Sequence, residues 1–427
     1  MKIKSTARTI ALISACAVLA SPRIALAQER APDLDDGQLE PGQTVADRRQ
    51  ENYAPTGIRM GSFVAFPEVT VRLLYDDNVF FENTNESEDY KTLIEPRLSV
   101  RSDWTNHELR LDFGSDITRH DDFDDENSED YFWTTRGRLD VTRQTFLTGS
   151  LDLRHGHEGR GSPDAVNGVA PTETDSATAN VGFEHRPGKF FLLGNAQFSQ
   201  LGFDDVTTST GLVINNDDRD RNESSGSLTL GYEIQPGYNA FIRGTVDERD
   251  YDDAVDDAGF NRDSTGVDIK LGAELDLGGT VNGEVNVGAF SRDFDDARFE
   301  DVDGWSTESV VYWQLTPLTT VVFNATRSAS ESTELNASSF VASTFGVAAA
   351  HELRRNLLLE ASISYTENEF EGINRTDEIY SANISATYDI DRFWFSGASY
   401  EYGERDSDVA GVEYDRNVWM LWLGYRR

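Results

Sequence analysis

The chain has a single cysteine, Cys16, and no apolar run near the roughly 20 residues a membrane-spanning helix needs. One cysteine cannot close a disulfide within the chain, so something else must hold an exported protein together. Motifs of catalysis are missing as well. There is no G-x-S-x-G, no H-E-x-x-H, no Gly-rich phosphate loop and no paired-cysteine pattern. The six histidines show no spacing that makes a dyad, so the chain reads as a non-enzyme without a cofactor. Positive charge is scarce: 38 Lys and Arg stand against 76 Asp and Glu, a net charge of −38. That excess excludes nucleic acid and anionic membrane surfaces as partners. Low hydrophobicity with high charge can mean disorder. An aromatic content of 11% and the patterning described below oppose it.

Residues 1–27 read as a cleaved secretory signal. Lys2, Lys4 and Arg8 form the positive start, Ile10 to Ala20 the short apolar run, and Ala25-Leu26-Ala27 the cleavage site. Ile13-Ser14-Ala15-Cys16 resembles a lipidation box, but the apolar run continues past Cys16 and the A-x-A site follows it. Cleavage removes four basic residues from the net charge of −38, leaving about −42 and no cysteine. Residues 28–60 are polar, carry Pro32, Pro41 and Pro55, and have no periodicity. They are expected to be a disordered periplasmic tail, with Gln28 to Gly57 outside the folded body.

From about Ser62 strict alternation takes over. Leu109, Leu111, Phe113, Ser115 and Ile117 share one face, and Arg110, Asp112, Gly114, Asp116 and Thr118 the other. Val267 to Leu275, Val281 to Ala289 and Tyr380 to Tyr388 repeat the pattern. Period two over such lengths is the signature of a strand, and about 9–11 residues suffice for a tilted transmembrane one. Short turns, such as Trp104-Thr105-Asn106, Arg186-Pro187-Gly188 and Gln235-Pro236-Gly237, recur at intervals of about 40 residues. Longer acidic segments lie between them: Asp121 to Asp130, Asp204 to Asp220, Asp252 to Asn261 and Asp295 to Gly304.

The reading is all-β: a single closed antiparallel transmembrane β-barrel over residues 61–427. It has about 18 strands, short periplasmic turns and long acidic outer loops. The first strand is expected near Val69 to Phe80, the last at Asn417 to Arg427. Tyr75, Phe203, Tyr251 and Phe294 each precede two aspartates and suggest an aromatic girdle below the outer loops. A propeller shares the period, but its strands are short and largely buried.

Two stretches carry a family resemblance. Gly61-Ser62-Phe63, Phe66-Pro67 and Tyr75-Asp76-Asp77-Asn78-Val79-Phe80 resemble the entry segment of the outer-membrane family putative β-barrel porin 2. Leu98 to Trp104, followed by Asn106 to Leu109, resembles its first periplasmic hairpin. The resemblance implies localisation in the outer membrane. It also implies contact with outer-membrane lipid and lipopolysaccharide, and insertion by the barrel assembly machinery. Some relatives are associated with secretion of surface polysaccharide, which suggests a substrate class. The chain departs from the common aromatic terminus by ending Tyr425-Arg426-Arg427, so Tyr425 would stand in for it.

The candidate lumen residues are Arg97, Arg101, Arg110, Arg136, Arg138 and Arg154, interleaved with Asp112, Asp116, Asp140 and Asp152. They form either a selectivity field for anionic groups or a self-neutralising cross-strand ladder. His155-Gly156-His157 places two imidazoles on one side of a strand, but on its apolar side, so no metal is assigned there. The acidic loops suit hard cations in charge, yet Asp301-Val302-Asp303-Gly304 is only a fragment of a calcium loop. The expected function is passage of a polar solute, with surface polysaccharide the leading class. The rivals are a structural or adhesive surface protein with an occluded lumen, and a barrel hydrolase.

Overall fold

A computed structural model describes residues 42–48, 52–166 and 168–427. The expected signal peptide therefore lies outside the described residues. Eighteen long strands form one antiparallel ring. They are β1 (Phe63–Asp76), β2 (Asp89–Ser102), β3 (Glu108–His120), β4 (Ser128–Thr142), β5 (Thr145–His157) and β6 (Glu173–His185). Next come β7 (Phe190–Phe203), β8 (Arg221–Gln235), β9 (Tyr238–Tyr251), β10 (Ser264–Asp276), β11 (Val281–Phe294) and β12 (Val302–Thr316). The ring finishes with β13 (Thr319–Glu331), β14 (Ser339–Arg354), β15 (Leu357–Glu371), β16 (Thr376–Asp389), β17 (Trp394–Ser407) and β18 (Tyr414–Arg426). Each strand pairs with its neighbours in sequence. β18 closes on β1 from Glu68↔Arg426 to Asp76↔Val418. Closure matters because an open sheet edge has no partner for its backbone groups in hydrocarbon.

Alternation decides the two faces. Leu228, Leu230, Ile242, Val246, Ile269, Leu271, Val287, Ile363 and Leu421 are all at least 45% exposed, and the register places them together on the outer surface. Such a belt is stable only in lipid. Tyr75 packs on Tyr90 and Trp419 at ring distances of 5.1 and 5.7 Å, and Tyr365 on Tyr380 at 5.1 Å, as an outer girdle. Phe63 with Trp104, and Trp394 with Tyr425, mark the periplasmic edge. Tyr425 thus faces outward next to the end of the chain.

Three expectations need correction. β1 starts at Phe63 rather than near Val69 and ends at Asp76, because Pro67 does not interrupt it. The β18 partnership begins only at Glu68, so the missing Pro67 N–H leaves no ladder bond unmade on that side. Second, Phe203, Tyr251 and Phe294 belong to the inner face, not to the girdle. Tyr251 pairs with Arg221, and Phe294 with Ser264, on the side opposite the lipid belt. A strand-end aromatic takes the face its register dictates. Third, the segment before the barrel is not a featureless tail throughout. Ile58–Met60 pairs as a short hairpin with Phe63–Ala65. Residues 42–48 lie inside the periplasmic mouth. There Val45 N–H donates to Thr320 Oγ1 (3.0 Å), Gly42 N–H to Asn282 Oδ1 (2.7 Å) and Arg48 to Glu352 (3.1 Å). Thr44 caps the short 3-10 turn Val45–Asp47, and Val45 is 3% exposed. The wall's side chains satisfy this segment, so it needs no periodicity of its own.

Candidate lumen site and outer mouth

The hairpins β2 to β5 carry the arginine-rich wall. Register aligns Arg101 with Arg110 and Arg110 with Arg136, so three guanidinium groups stand side by side across three strands. Arg97 lies opposite Gly114, Arg138 opposite Glu108, and Arg154 opposite Phe132. The outer apolar residues Leu98, Trp133, Leu139 and Leu151 alternate with them, so all six arginines face the lumen. Like charges placed directly opposite repel unless something compensates. Part of the compensation is local: Arg110 meets Asp112 at 2.7 Å, Arg138 meets Asp140 at 2.9 Å, and Arg97 pairs with Asp116. Arg101 bonds Ser99 and lies 5.5 Å from the Phe66 ring. Arg136 and Arg154 are exposed to the lumen and have no carboxylate partner among the described residues. Arg154 rests on the Phe132 ring at 5.7 Å, and Asp152 is taken by Thr134 at 2.7 Å.

The opposite wall differs. Arg243–Glu284 (2.9 Å) and Lys270–Asp268 (3.1 Å), on β9 to β11, pair off their charges. The lumen is therefore asymmetric, with uncompensated positive charge on the β4–β5 side. His155 and His157 bind different carboxylates, Asp175 at 2.7 Å and Asp130 at 2.9 Å, instead of sharing one site.

The outer mouth is built by a loop that the sequence reading did not single out. Residues 158–166 and 168–172 belong to a loop that leaves β5 and reaches across the opening. Asp164 accepts from Ser332 Oγ (2.9 Å) and from Thr333 N–H (3.2 Å), eight strands around the eighteen-strand ring from where the loop began. Along the way Glu158 holds Arg219 in a bidentate pair at 2.6 and 2.9 Å, both about 7% exposed. Arg160 pairs with Glu126 and donates to Gly168 O (2.8 Å). Arg375 donates to Pro163 O, and Arg405 to Gly161 O. Gly161 lies so close on the Phe81 ring that a Cβ would sit 2.7 Å from it. Burial raises the Asp164 carboxyl above its ordinary range, against the pull of Arg219. A signal for this loop does exist. Among the long loops it has few acids and several apolar residues, Ala165, Val166, Val169 and Ala170, as a loop folded inward requires.

Next to it, Asp220 accepts from Phe203 N–H at 2.7 Å. Burial, reinforced by Asp217, Asp252 and Asp204, pushes its carboxyl up to about 6. The folded loop thus binds a proton more readily than the unfolded one. Its stability rises as pH falls from above 6 towards the ordinary carboxyl value of 3.8. Hydrogen-exchange protection factors of residues 204–220, taken relative to intrinsic rates at each pH, are expected to rise between pH 7 and pH 5, and Asp220→Asn to remove most of that rise. Lower protection at pH 5 in the native protein would contradict it.

The family model for "Putative beta-barrel porin 2" matches residues 51–427. The chain belongs to this family. Solved structures are similar to the chain at low identity. OccK3 (OpdO) of Pseudomonas aeruginosa is 11% identical with a TM-score of 0.43, covering 85% of this chain and 95% of that one. A ferric enterobactin receptor (PfeA) mutant from the same organism is 7% identical, at 0.46, covering 85% and 80%. A BenF-like porin of Pseudomonas fluorescens is 12% identical, at 0.42, covering 85% and 99%. No curated protein matches the chain. This family member is a porin-like β-barrel of the outer membrane.

Proposed function

We propose that the barrel conducts an anionic polar solute across the outer membrane and that a surface polysaccharide bearing carboxylates is the substrate class. The observation that carries this is the arginine row Arg101–Arg110–Arg136, with Arg136 and Arg154 uncompensated in the lumen. Guanidinium groups suit carboxylates in both charge and geometry. The vertical order of charge favours export. Arg101, Arg110 and Arg138 sit near the periplasmic ends of their strands, whereas the outer loops carry clustered aspartates. A polyanion would be drawn in from the periplasm and repelled from the outer rim once released.

Reversal potentials in planar bilayers test this. Arg136→Gln with Arg154→Gln is expected to shift selectivity towards cations. The shift should shrink in concentrated salt, where screening shortens to about 3 Å at 1 M. Polyguluronate added on the periplasmic side should block the native current and block that of the double variant less. An unchanged reversal potential at low salt removes the arginines from conduction. The loop across the outer mouth favours a second reading, a surface protein with an occluded lumen, for which no discrete conductance steps are expected. No residue is assigned a catalytic role.

A further inference from the structure

The barrel wall is split at its outer end between β12 and β13. The two strands pair from Thr316↔Thr319 up to Thr307↔Arg327 and no further. Yet β12 continues upward to Val302, still bonded to β11 through Ser306↔Gly288 and Val302↔Arg292. β13 likewise continues to Glu331, still bonded to β14 through Glu331↔Ser339. Val302 to Ser306 thus face no partner strand on one side. Ser306 Oγ is fully buried there without a hydrogen bond among the described residues.

The missing edge has gone inward. The tip of the β13–β14 hairpin lies against β9, four strands away. Arg249 donates to Ala329 O (3.4 Å) and Tyr251 Oη to Glu331 (2.7 Å), both from lumen-facing positions. Arg262 donates to Ser332 O and Ala337 O, and Asp164 holds Ser332 from the far side. The hairpin has swung into the mouth like a door hinged at β15.

Apolar surface lies on both sides of this opening. Inside, Phe290, Phe294, Phe299, Val302 and Val341 form a buried cluster, with Phe260 and Ala329 against it. Outside, on the lipid face below the split, a groove of about 670 Å³ is lined by Val311, Phe323, Ala325, Phe345, Ile363 and Tyr380 among others. Arg327, at the last paired position, faces outward. It stacks on Trp305 at 5.2 Å and pairs with Glu369 at 3.0 Å, marking the headgroup level. The unpaired edge begins at headgroup height, just beyond Thr307↔Arg327, and stands between these two apolar surfaces. Annular lipid alone would explain the groove but not the apolar cluster behind the split.

We propose that the split is a gated lateral passage from the mouth to the outer leaflet. Its occupant is the acyl chain of an amphiphile, entering between β12 and β13 while the polar part stays in the lumen. The chemistry of the route selects the occupant: hydrocarbon-compatible on both sides, with a guanidinium and an indole at headgroup height. The inference is separate from polar conduction, which can hold or fail independently.

The test uses the full-length barrel in phosphatidylcholine vesicles with palmitate carrying a terminal diazirine as the probe. Photolysis is expected to leave adducts on the outer groove, at Phe323 or Phe345, and also on the inner cluster, at Phe290 or Phe294. Adducts confined to outward-facing residues would reduce the groove to a seat for bulk lipid and overturn the passage. Ser306→Cys with Ser328→Cys provides the second arm. These positions would be cross-strand partners if the ladder were zipped, and the exported chain is expected to have no other cysteine. Oxidation to the disulfide should abolish the inner adducts, preserve the outer ones and leave polar conductance unchanged. Inner adducts that survive in the cross-linked protein would mean that palmitate arrives through the aqueous mouth, which also overturns the proposal.

Discussion

Arg219→Met is expected to release the loop that crosses the outer mouth. Arg219 and Glu158 form a bidentate pair, about 7% exposed on each side, with the guanidinium also 4.0 Å from the Phe203 ring. Removing one member leaves Glu158 buried without its counter-charge, which costs about 3–5 kcal/mol. At about 1.4 kcal/mol per tenfold, the open form of the loop should become roughly a hundredfold or more populated. Two measurements follow this: the rate of protease nicking within residues 158–172, and the conductance of single barrels, which should become larger and noisier. Arg298→Met is the matched control. Its pair with Asp296 is on the exposed rim, where ion pairs contribute little. Equal nicking rates in the two variants would show that the Glu158–Arg219 pair does not hold the loop. Arg219→Met with Glu158→Leu should recover part of the loss, because no unpaired charge then remains.

The second large effect concerns the outer belt. Leu271 is 61% exposed in the middle of β10, between Ile242 and Val287 on the outer face. Leu271→Arg should destabilise the barrel in vesicles by about 2–4 kcal/mol, since a guanidinium at mid-depth meets hydrocarbon. Thr245→Arg places the same group on the inner face, opposite Asp268. It should stay within about 1 kcal/mol of the native protein. Guanidinium titration of folding into vesicles measures both. Similar costs at the two positions would mean that the assigned faces are wrong.

Local alternation explains how far the sequence alone reaches. A period of two is a property of neighbouring residues, so Leu109 to Thr118 already states which side chains share a face. Repetition of turns then states how many hairpins there are, and closure follows because a lipid-facing sheet cannot keep an edge. The inward direction of Arg110 and Arg136 was legible in the same way. Their partnerships were not. Whether Arg110 meets Asp112 while Arg136 meets no carboxylate depends on rotamers and on which residues the register sets opposite, and alternation says nothing of either.

What the tertiary structure decided concerns contacts between segments far apart in the chain. Asp164 reaches Ser332, and Val45 reaches Thr320, across separations of 168 and 275 residues. Neither segment has a period, because each satisfies its backbone on the wall of a barrel that must exist first. Tyr251 and Phe294 show the same dependence: a motif at a strand's end names the residue, but only register tells lipid from lumen. The split between β12 and β13 is the furthest from the sequence. Nothing in the sequence of either strand marks where their pairing stops, and beyond that point Arg249, Tyr251 and Arg262 hold the hairpin tip from across the mouth.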